Sequence, residues 1–384
     1  MKTPFMYGKI VHGTNFTNRA IESKRLISNF KSSVNTILIS PRRWGKSSLV
    51  LKAAKQVQMQ SKKHIFCMLD LNNVRTEEQF YNLLATKVLQ QSSSRIDAIL
   101  ENAKQFLSKF IPNLSFSPDP GADLKLSLDW TEVKKGPEEI LNLAEKIANK
   151  IKKEFIICID EFQNIFEFES PIDFQKKLRA HWQLHQHVTY CLYGSKRYML
   201  MEVFSSPSMP FYKFGDILFL EKIPEKDWKE FIVKRYTETG KRIGVEDAAA
   251  IAKYCDNHPY YVQQLAQQVW LRTSKNCKPE IIQEAFEDLI MQLSMLFQIM
   301  TDELNTKQVN FLNVLINNEN QITSQRVIQK YKLGTSANVL KIKRALHDKE
   351  IIDIIGKKIE FNDPLYKYWL TKNYSNLENI TIRE

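Results

Sequence analysis

Thr36-Ile37-Leu38-Ile39-Ser40-Pro41-Arg42-Arg43-Trp44-Gly45-Lys46-Ser47-Ser48-Leu49-Val50-Leu51-Lys52-Ala53 is a short apolar run, a basic loop and the start of a helical pattern. That order, with Gly45-Lys46-Ser47 at the junction, is what a phosphate-binding loop requires. A tight loop at a helix N-terminus turns backbone N–H groups toward an anion, and the helix dipole favours the negative charge. Pro41, Arg42, Arg43, Trp44, Gly45, Lys46, Ser47 and Ser48 are therefore the candidate nucleotide-contacting residues. Lys46 is expected to reach the terminal phosphates and Ser47 to ligate Mg²⁺ through its hydroxyl. Ser40 stands where the usual pattern has its first glycine, so the loop is expected to begin with a residue strained into positive φ.

Charge gathers around this loop. The chain has a formal net charge of +12. Residues 1–63 hold 13 Lys or Arg against one acid, Glu22, so the remainder is balanced. A basic setting suits a triphosphate ligand. Only 11 glycines occur in 384 residues, which makes a glycine inside a motif, such as Gly45, more informative than usual.

Up to about residue 220, short and nearly continuous apolar runs alternate with helical patterns. The runs are 36–39, 65–71, 155–159, 189–193 and 217–220. Such runs suit strands buried on both faces, so an α/β fold is expected, a parallel sheet with helices on both faces. The third run ends in Asp160-Glu161. Carboxylates there lie at the mouth of a parallel sheet, where ligands bind in open α/β folds. Asp160 is expected to hold Mg²⁺, and Glu161 to orient or deprotonate a water. Ser195, after Tyr193-Gly194, is expected to offer its hydroxyl to a γ-phosphate or water, or to serve as a helix cap. Arg197, Lys213, Arg235 and Arg242 are candidate cations for a transferring phosphoryl group.

Residues 112–137, with Pro118-Asp119-Pro120-Gly121 and alternating leucines, read as a hairpin insertion in a sheet domain spanning 1–222. From 223 to 300 the periodicity is helical, as in Trp228-Phe231-Ile232 and Val262-Leu265-Ala266-Val269, which predicts a helical lid. From 301 to 384 the order is three helices and two extended segments with Gly356 at the turn, a winged-helix domain. Five cysteines without a C-x-x-C pair suit reduced thiols in the cytosol. No apolar run approaches the roughly 20 residues that cross a bilayer, and no signal peptide is expected. His181 and His185 share a helical spacing, but no third ligand is spaced to complete a zinc site.

With these residues in place the chain resembles the archaeal-type ATPase family of P-loop NTPases, related to the AAA+ and STAND groups. The resemblance rests on Phe16-Thr17-Asn18-Arg19-Ala20-Ile21-Glu22, Pro41-Arg42-Arg43-Trp44-Gly45-Lys46-Ser47 and Ile159-Asp160-Glu161-Phe162-Gln163. Tyr193-Gly194-Ser195, Phe211-Tyr212-Lys213-Phe214-Gly215, His258-Pro259 and Asp363-Pro364-Leu365-Tyr366 extend it over most of the chain. It implies a P-loop NTPase fold that binds ATP and Mg²⁺, with Phe16 and Arg19 bordering the adenine. It also implies that His258 and Pro259 close over the nucleotide from the lid. Asn18 replaces the box glycine, and Lys213 stands where relatives often carry arginine.

Three functions follow from these readings: a Mg-dependent ATP hydrolase moving its domains against a protein partner, a slow nucleotide switch, and a DNA-binding regulator. The last would use Lys341, Lys343 and Arg344, within a stretch, 321–361, of nine basic and four acidic residues.

Overall fold

The computed structural model describes residues 3–92, 101, 105, 115–118, 124–127, 136–356 and 358–374. The chain divides into two compact units, Ile10–Glu221 on one hand and Met1–Lys9 with Lys222–Glu384 on the other.

The first unit holds, among the described residues, the strands β1 (Thr36–Ile39), β2 (His64–Asp70), β3 (Ser115–Pro118), β4 (Leu124–Ser127), β5 (Glu154–Asp160), β6 (Val188–Gly194) and β7 (Asp216–Phe219). Five of them form one parallel sheet in the order β2-β5-β6-β1-β7. The five expected apolar runs are these five strands, each matched to within a residue or two at its ends. The separate antiparallel pair β3–β4, with Ser115 opposite Ser127, lies inside the expected hairpin insertion. Positions 112–114, 119–123 and 128–135 of that insertion lie outside the described residues.

Alternation along the strands feeds two cores, because successive side chains leave a strand on opposite faces. Ile37, Ile39, Phe155, Ile157, Ile159, Tyr190 and Leu192 join one core with Phe80, Leu84, Ile147, Phe174 and Phe204 from the covering helices. Leu38, Ile156, Cys158, Cys191 and Tyr193 join the other. That second core is completed by Leu26 and Phe30 of α1 (Ala20–Lys31) and by Leu49, Val50 and Ala53 of α2 (Lys46–Gln60). Both faces are thus sealed, which is why the strands read as continuous apolar runs. The chain leaves β1 for the far edge of the sheet at β2 and comes back to flank β1 with β6 and β7. Such a reversal opens a crevice at the carboxyl ends of the strands.

The second unit has a single core running from Phe5 and Trp228 to Trp369 and Leu370. Helices Glu225–Thr237, Val245–Tyr254, Pro259–Arg272 and Pro279–Asp302 come first. Thr306–Ile316, Gln325–Lys330, Ser336–Asp348, the antiparallel pair β8 (Ile352–Ile355) and β9 (Lys358–Phe361), and helix Pro364–Tyr374 follow. The order helix, helix, helix, hairpin is a winged helix. Its three helices start at side-chain caps, Asn305 with a reciprocal Gln308 capping box, then Ser324 and Thr335. Asp363 accepts from the backbone N–H groups of Leu365 and Tyr366 and so opens the last helix. No helix among the described residues is long and apolar enough to cross a membrane.

Candidate active site

β1 ends at Ile39 and α2 begins at Lys46, so residues 40–45 make the whole turn at the carboxyl edge of the sheet. The expected strain at Ser40 is not there. Positive φ occurs at Arg43 (65°) and Gly45 (89°), and Ser40 is absent from that class. The cause is local: Pro41 pushes the residue before it toward extended backbone. Ser40 is instead buried, with its hydroxyl donating to the Pro41 carbonyl at 3.1 Å. Lys46, also buried, donates to the same carbonyl from Nζ at 3.3 Å.

Ser47 Oγ donates to Asp160 Oδ2 at 2.6 Å, a contact between the first turn of α2 and the end of β5, 113 residues apart. Loop and acidic strand are thereby joined across β6, which lies between β1 and β5. β6 carries Ser195 just past its end. The Ser195 hydroxyl donates to Glu161 Oε2 at 2.9 Å and its backbone N–H to the same oxygen at 3.2 Å. The helix that follows takes Lys196 as its N-cap, so the Ser195 side chain is turned to the acidic pair.

The two carboxylates are held differently. Burial raises the pKa of Asp160 above the ordinary carboxylate value, the Ser47 hydrogen bond opposing it and the Glu161 charge adding to it. Burial pushes Glu161 up as well, but the amide of Gln163, the Lys46 charge and the Ser195 donors outweigh it and hold Glu161 below its usual value. Glu161 itself sits at φ 51°, in the left-handed region, where β5 gives way to the short helical turn Phe162–Glu167.

At the N-terminal box, Arg19 (φ 65°) is the N-cap of α1 and is 4% exposed. One of its terminal nitrogens donates to Glu22 (3.0 Å) and to the Glu221 carbonyl (2.6 Å), while the other, Nη2, is buried without a partner among the described residues. Burial lowers its pKa. Asn18, at φ 56°, occupies a left-handed position, which asparagine adopts more readily than most side chains. The Phe16 ring lies under Lys52 Nζ, 3.9 Å from the centroid. Ser48 accepts from the backbone N–H of Val11 at 2.9 Å and is thereby turned to the N-terminal segment. Arg42 and Arg43 are exposed, and Trp44 is half-buried.

Other expected residues lie elsewhere. His258 and Pro259 open helix Pro259–Arg272 of the second unit, with the buried His258 ring 5.0 Å from Tyr261. Arg235 is buried in that unit, donating to the Pro4 carbonyl at 2.8 Å and pairing with Glu238, which commits its guanidinium to structure. Arg242 joins a backbone bridge with Asn276. Arg197 lies over the Phe219 ring and Lys213 over Tyr212. His185 bonds Tyr190 Oη and Asn142, and His181 bonds the same asparagine. Lys341 and Arg344 are exposed on helix Ser336–Asp348, and Lys343 is half-buried.

The donor set fits Mg²⁺ brought in with phosphates. Such a cation takes one or two carboxylates with substrate oxygens and waters, and Ser47 and Asp160 present one hydroxyl and one carboxylate at a common point. Among the described residues no three His, Cys, Asp or Glu side chains gather into a separate metal cage. Sequence reasoning quoted Gln163 and Gly194 inside motifs and gave neither a role. Both prove to shape the surroundings of Glu161.

Sheet order, phosphate loop and strand-end carboxylates define an AAA+-type ATPase fold. Residues 21–189 match the family model described as "Predicted AAA-ATPase", and residues 295–372 the one described as "Probable winged helix domain". The chain thus carries an AAA-ATPase-like domain followed by a winged helix. No curated protein matches the sequence. Among solved structures it is similar to the Walker-type ATPase of Pyrococcus abyssi, with a TM-score of 0.63 and 16% identity over 93% of this chain and 96% of that one. It is also similar to the ORC2 protein of Aeropyrum pernix in its ADPNP-ADP complexes, with a TM-score of 0.56 and 12% identity over 92% and 93% of the two chains. At these identities the likeness is one of fold.

Proposed function

We propose that this protein is a Mg-dependent ATP hydrolase whose nucleotide state governs contact with a protein partner. The observation that carries the reading is the Ser47–Asp160 contact, which joins the phosphate loop to the acidic strand, with Glu161 held beside it by Ser195. Backbone N–H groups of residues 43–47 and the dipole of α2 bind the β- and γ-phosphates. Lys46 exchanges its carbonyl partner at Pro41 for phosphate oxygens, and Ser47 and Asp160 hold the cation. Bound Mg²⁺ supplies charge neutralisation at the phosphate oxygens. Glu161 orients a water and accepts its proton, and Ser195 donates to the γ-phosphate. Phe16 and Arg19 border the base.

Steady-state phosphate release with and without Mg²⁺ tests this. Glu161→Gln should lower turnover by about 10²-fold or more while ATP affinity stays within a few-fold of wild type. Turnover unchanged in that variant removes Glu161 from the chemistry. Tight nucleotide retention through purification with turnover at background would favour the slow switch instead. Glu161→Gln held in ATP is also the form in which a partner should be captured.

A second reading takes duplex DNA as the partner. The exposure of Lys341 and Arg344 on the third helix of the winged helix favours it. Binding should then weaken steeply with salt and weaken further in Lys341→Ala and Arg344→Ala, whereas no mobility shift at low salt excludes it.

A further inference from the structure

The Glu161 carboxylate has a third donor besides the two from Ser195. Gln163 Nε2 donates to Glu161 Oε2, the oxygen that Ser195 also serves. Only the amide's NH₂ end can face a carboxylate, because its oxygen would repel one, so the orientation of the Gln163 amide is fixed by its partner. The other end of that amide, Oε1, is buried and accepts no hydrogen bond among the described residues. Gln163 is 2% exposed. A buried acceptor without a donor is a cost to folding, so stability alone does not account for a glutamine here.

The slot that takes this amide exists because residue 194 is glycine. A Cβ at that position would fall 1.8 Å from Gln163 Oε1 and 3.0 Å from its Cδ. Gly194 is the last residue of β6 and is not among the glycines with positive φ, so backbone conformation does not demand glycine there. Space for the Gln163 side chain does.

We propose that Gln163 is the positioning residue for Glu161, seated in the slot left by Gly194. The inference rests on the hydrolase reading above and deepens it. Its logic lies in counting protons. The Ser195 hydroxyl has a single proton, which can go to Glu161 or to an arriving phosphate oxygen but not to both. When Ser195 turns to phosphate, Glu161 keeps, among the described residues, the Ser195 backbone N–H and the Gln163 amide. Gln163 therefore fixes the carboxylate at the moment a water must be aligned, and Gly194 acts through Gln163.

The test uses the full-length protein with Gln163→Met, Gly194→Ala and the double variant. Methionine keeps the length and bulk of glutamine and removes the amide. Turnover should fall about ten- to hundredfold in Gln163→Met, with equilibrium affinity for a fluorescent ATP analogue changed less than about twofold. Gly194→Ala should show the same loss of kcat by displacing the amide. Because the flexible methionine can yield to the new Cβ, the double variant should be no slower than the slower single one. Urea midpoints of the nucleotide-free proteins should show the same non-additivity, a readout independent of turnover. A wild type without turnover overturns the hydrolase reading and the proposal with it. A turning-over wild type equalled in kcat by Gln163→Met, or losses in the two single variants that simply multiply, overturns the proposal alone.

Discussion

At the scale of single residues, the first unit shows how burial decides what a titratable group can do. Asp160 and Glu161 are neighbours in sequence, yet their donors separate them: the Ser47 hydroxyl and the Glu161 backbone N–H each take one oxygen of Asp160, whereas three donors from two residues converge on one oxygen of Glu161. His185 is a third case. It lies between Tyr190 Oη (2.8 Å) and Asn142 Oδ1 (3.0 Å), and burial depresses its pKa to about 4, Glu145 opposing the shift and His181 adding to it. In the unfolded chain this ring titrates near the ordinary histidine value, about 6.5. Between those two values the unfolded state binds a proton that the native state refuses, so stability falls as pH drops through the window and levels off below it. Discounted for the ring's partial exposure, the loss is roughly 2 kcal/mol. Urea midpoints measured from pH 7 to pH 4 should fall less in His185→Gln than in wild type; parallel curves would show that another group carries the acid sensitivity.

Individual elements were legible where one physical cause acted within a few residues. Continuous apolar runs located all five sheet strands because each sends apolar side chains into the cores on both faces of the sheet, and the loop was legible because a glycine, a lysine and a serine meet at a strand-to-helix junction. Strain at Ser40 was misplaced because the pattern was followed at the first loop position, while the local rule about residues before proline, which the sequence also contains, points the other way. What sequence could not show is register, because its determinants are far apart along the chain. Asn35, just before β1, accepts from the Tyr190 N–H through Oδ1, donates to the Phe214 carbonyl through Nδ2, and takes the Asp216 N–H on its own carbonyl. It thereby ties β1 to both neighbours across separations of 155 and 179 residues. The join at β7 needs Gly215: a Cβ there would lie 2.3 Å from the Asn35 carbonyl oxygen, a backbone atom that cannot swing aside. Gly215→Ala should therefore destabilise the sheet unit by ~1–3 kcal/mol and weaken ATP binding, because β1 carries the phosphate loop. An unchanged urea midpoint and unchanged affinity would show that β7 can shift at no cost.

Over the whole molecule, the division of the chain departs from the sequence order in one respect. The segment up to Lys9 belongs with Lys222–Glu384, so the chain crosses between the units at two places, after Lys9 and after Glu221. The first of these has no signal in composition or spacing, since a lone Phe5 among Thr3, Pro4 and Met6 does not reveal its partner. In the structure Phe5 is 2% exposed and packs edge-on against Phe231 and tilted against Tyr236. Around it, Gln263 accepts from the Met6 N–H, Gln267 donates to the Phe5 carbonyl and Arg235 to the Pro4 carbonyl. These bonds account for the buried Arg235 that sequence reading had offered to phosphate chemistry. Phe5→Ala should thus lower the stability of the second unit by ~3 kcal/mol, the cost of emptying a large buried aromatic site. Trp228 and Trp270 lie in the same core, so the loss is readable as a shift in their fluorescence unfolding curve. The sheet unit should keep its own midpoint, reported by Trp182 in its core. A substitution at the start of the chain that leaves the Trp228 and Trp270 transition unmoved would mean that Phe5 merely rests on the second unit, and that the unit is complete from Lys222 onward.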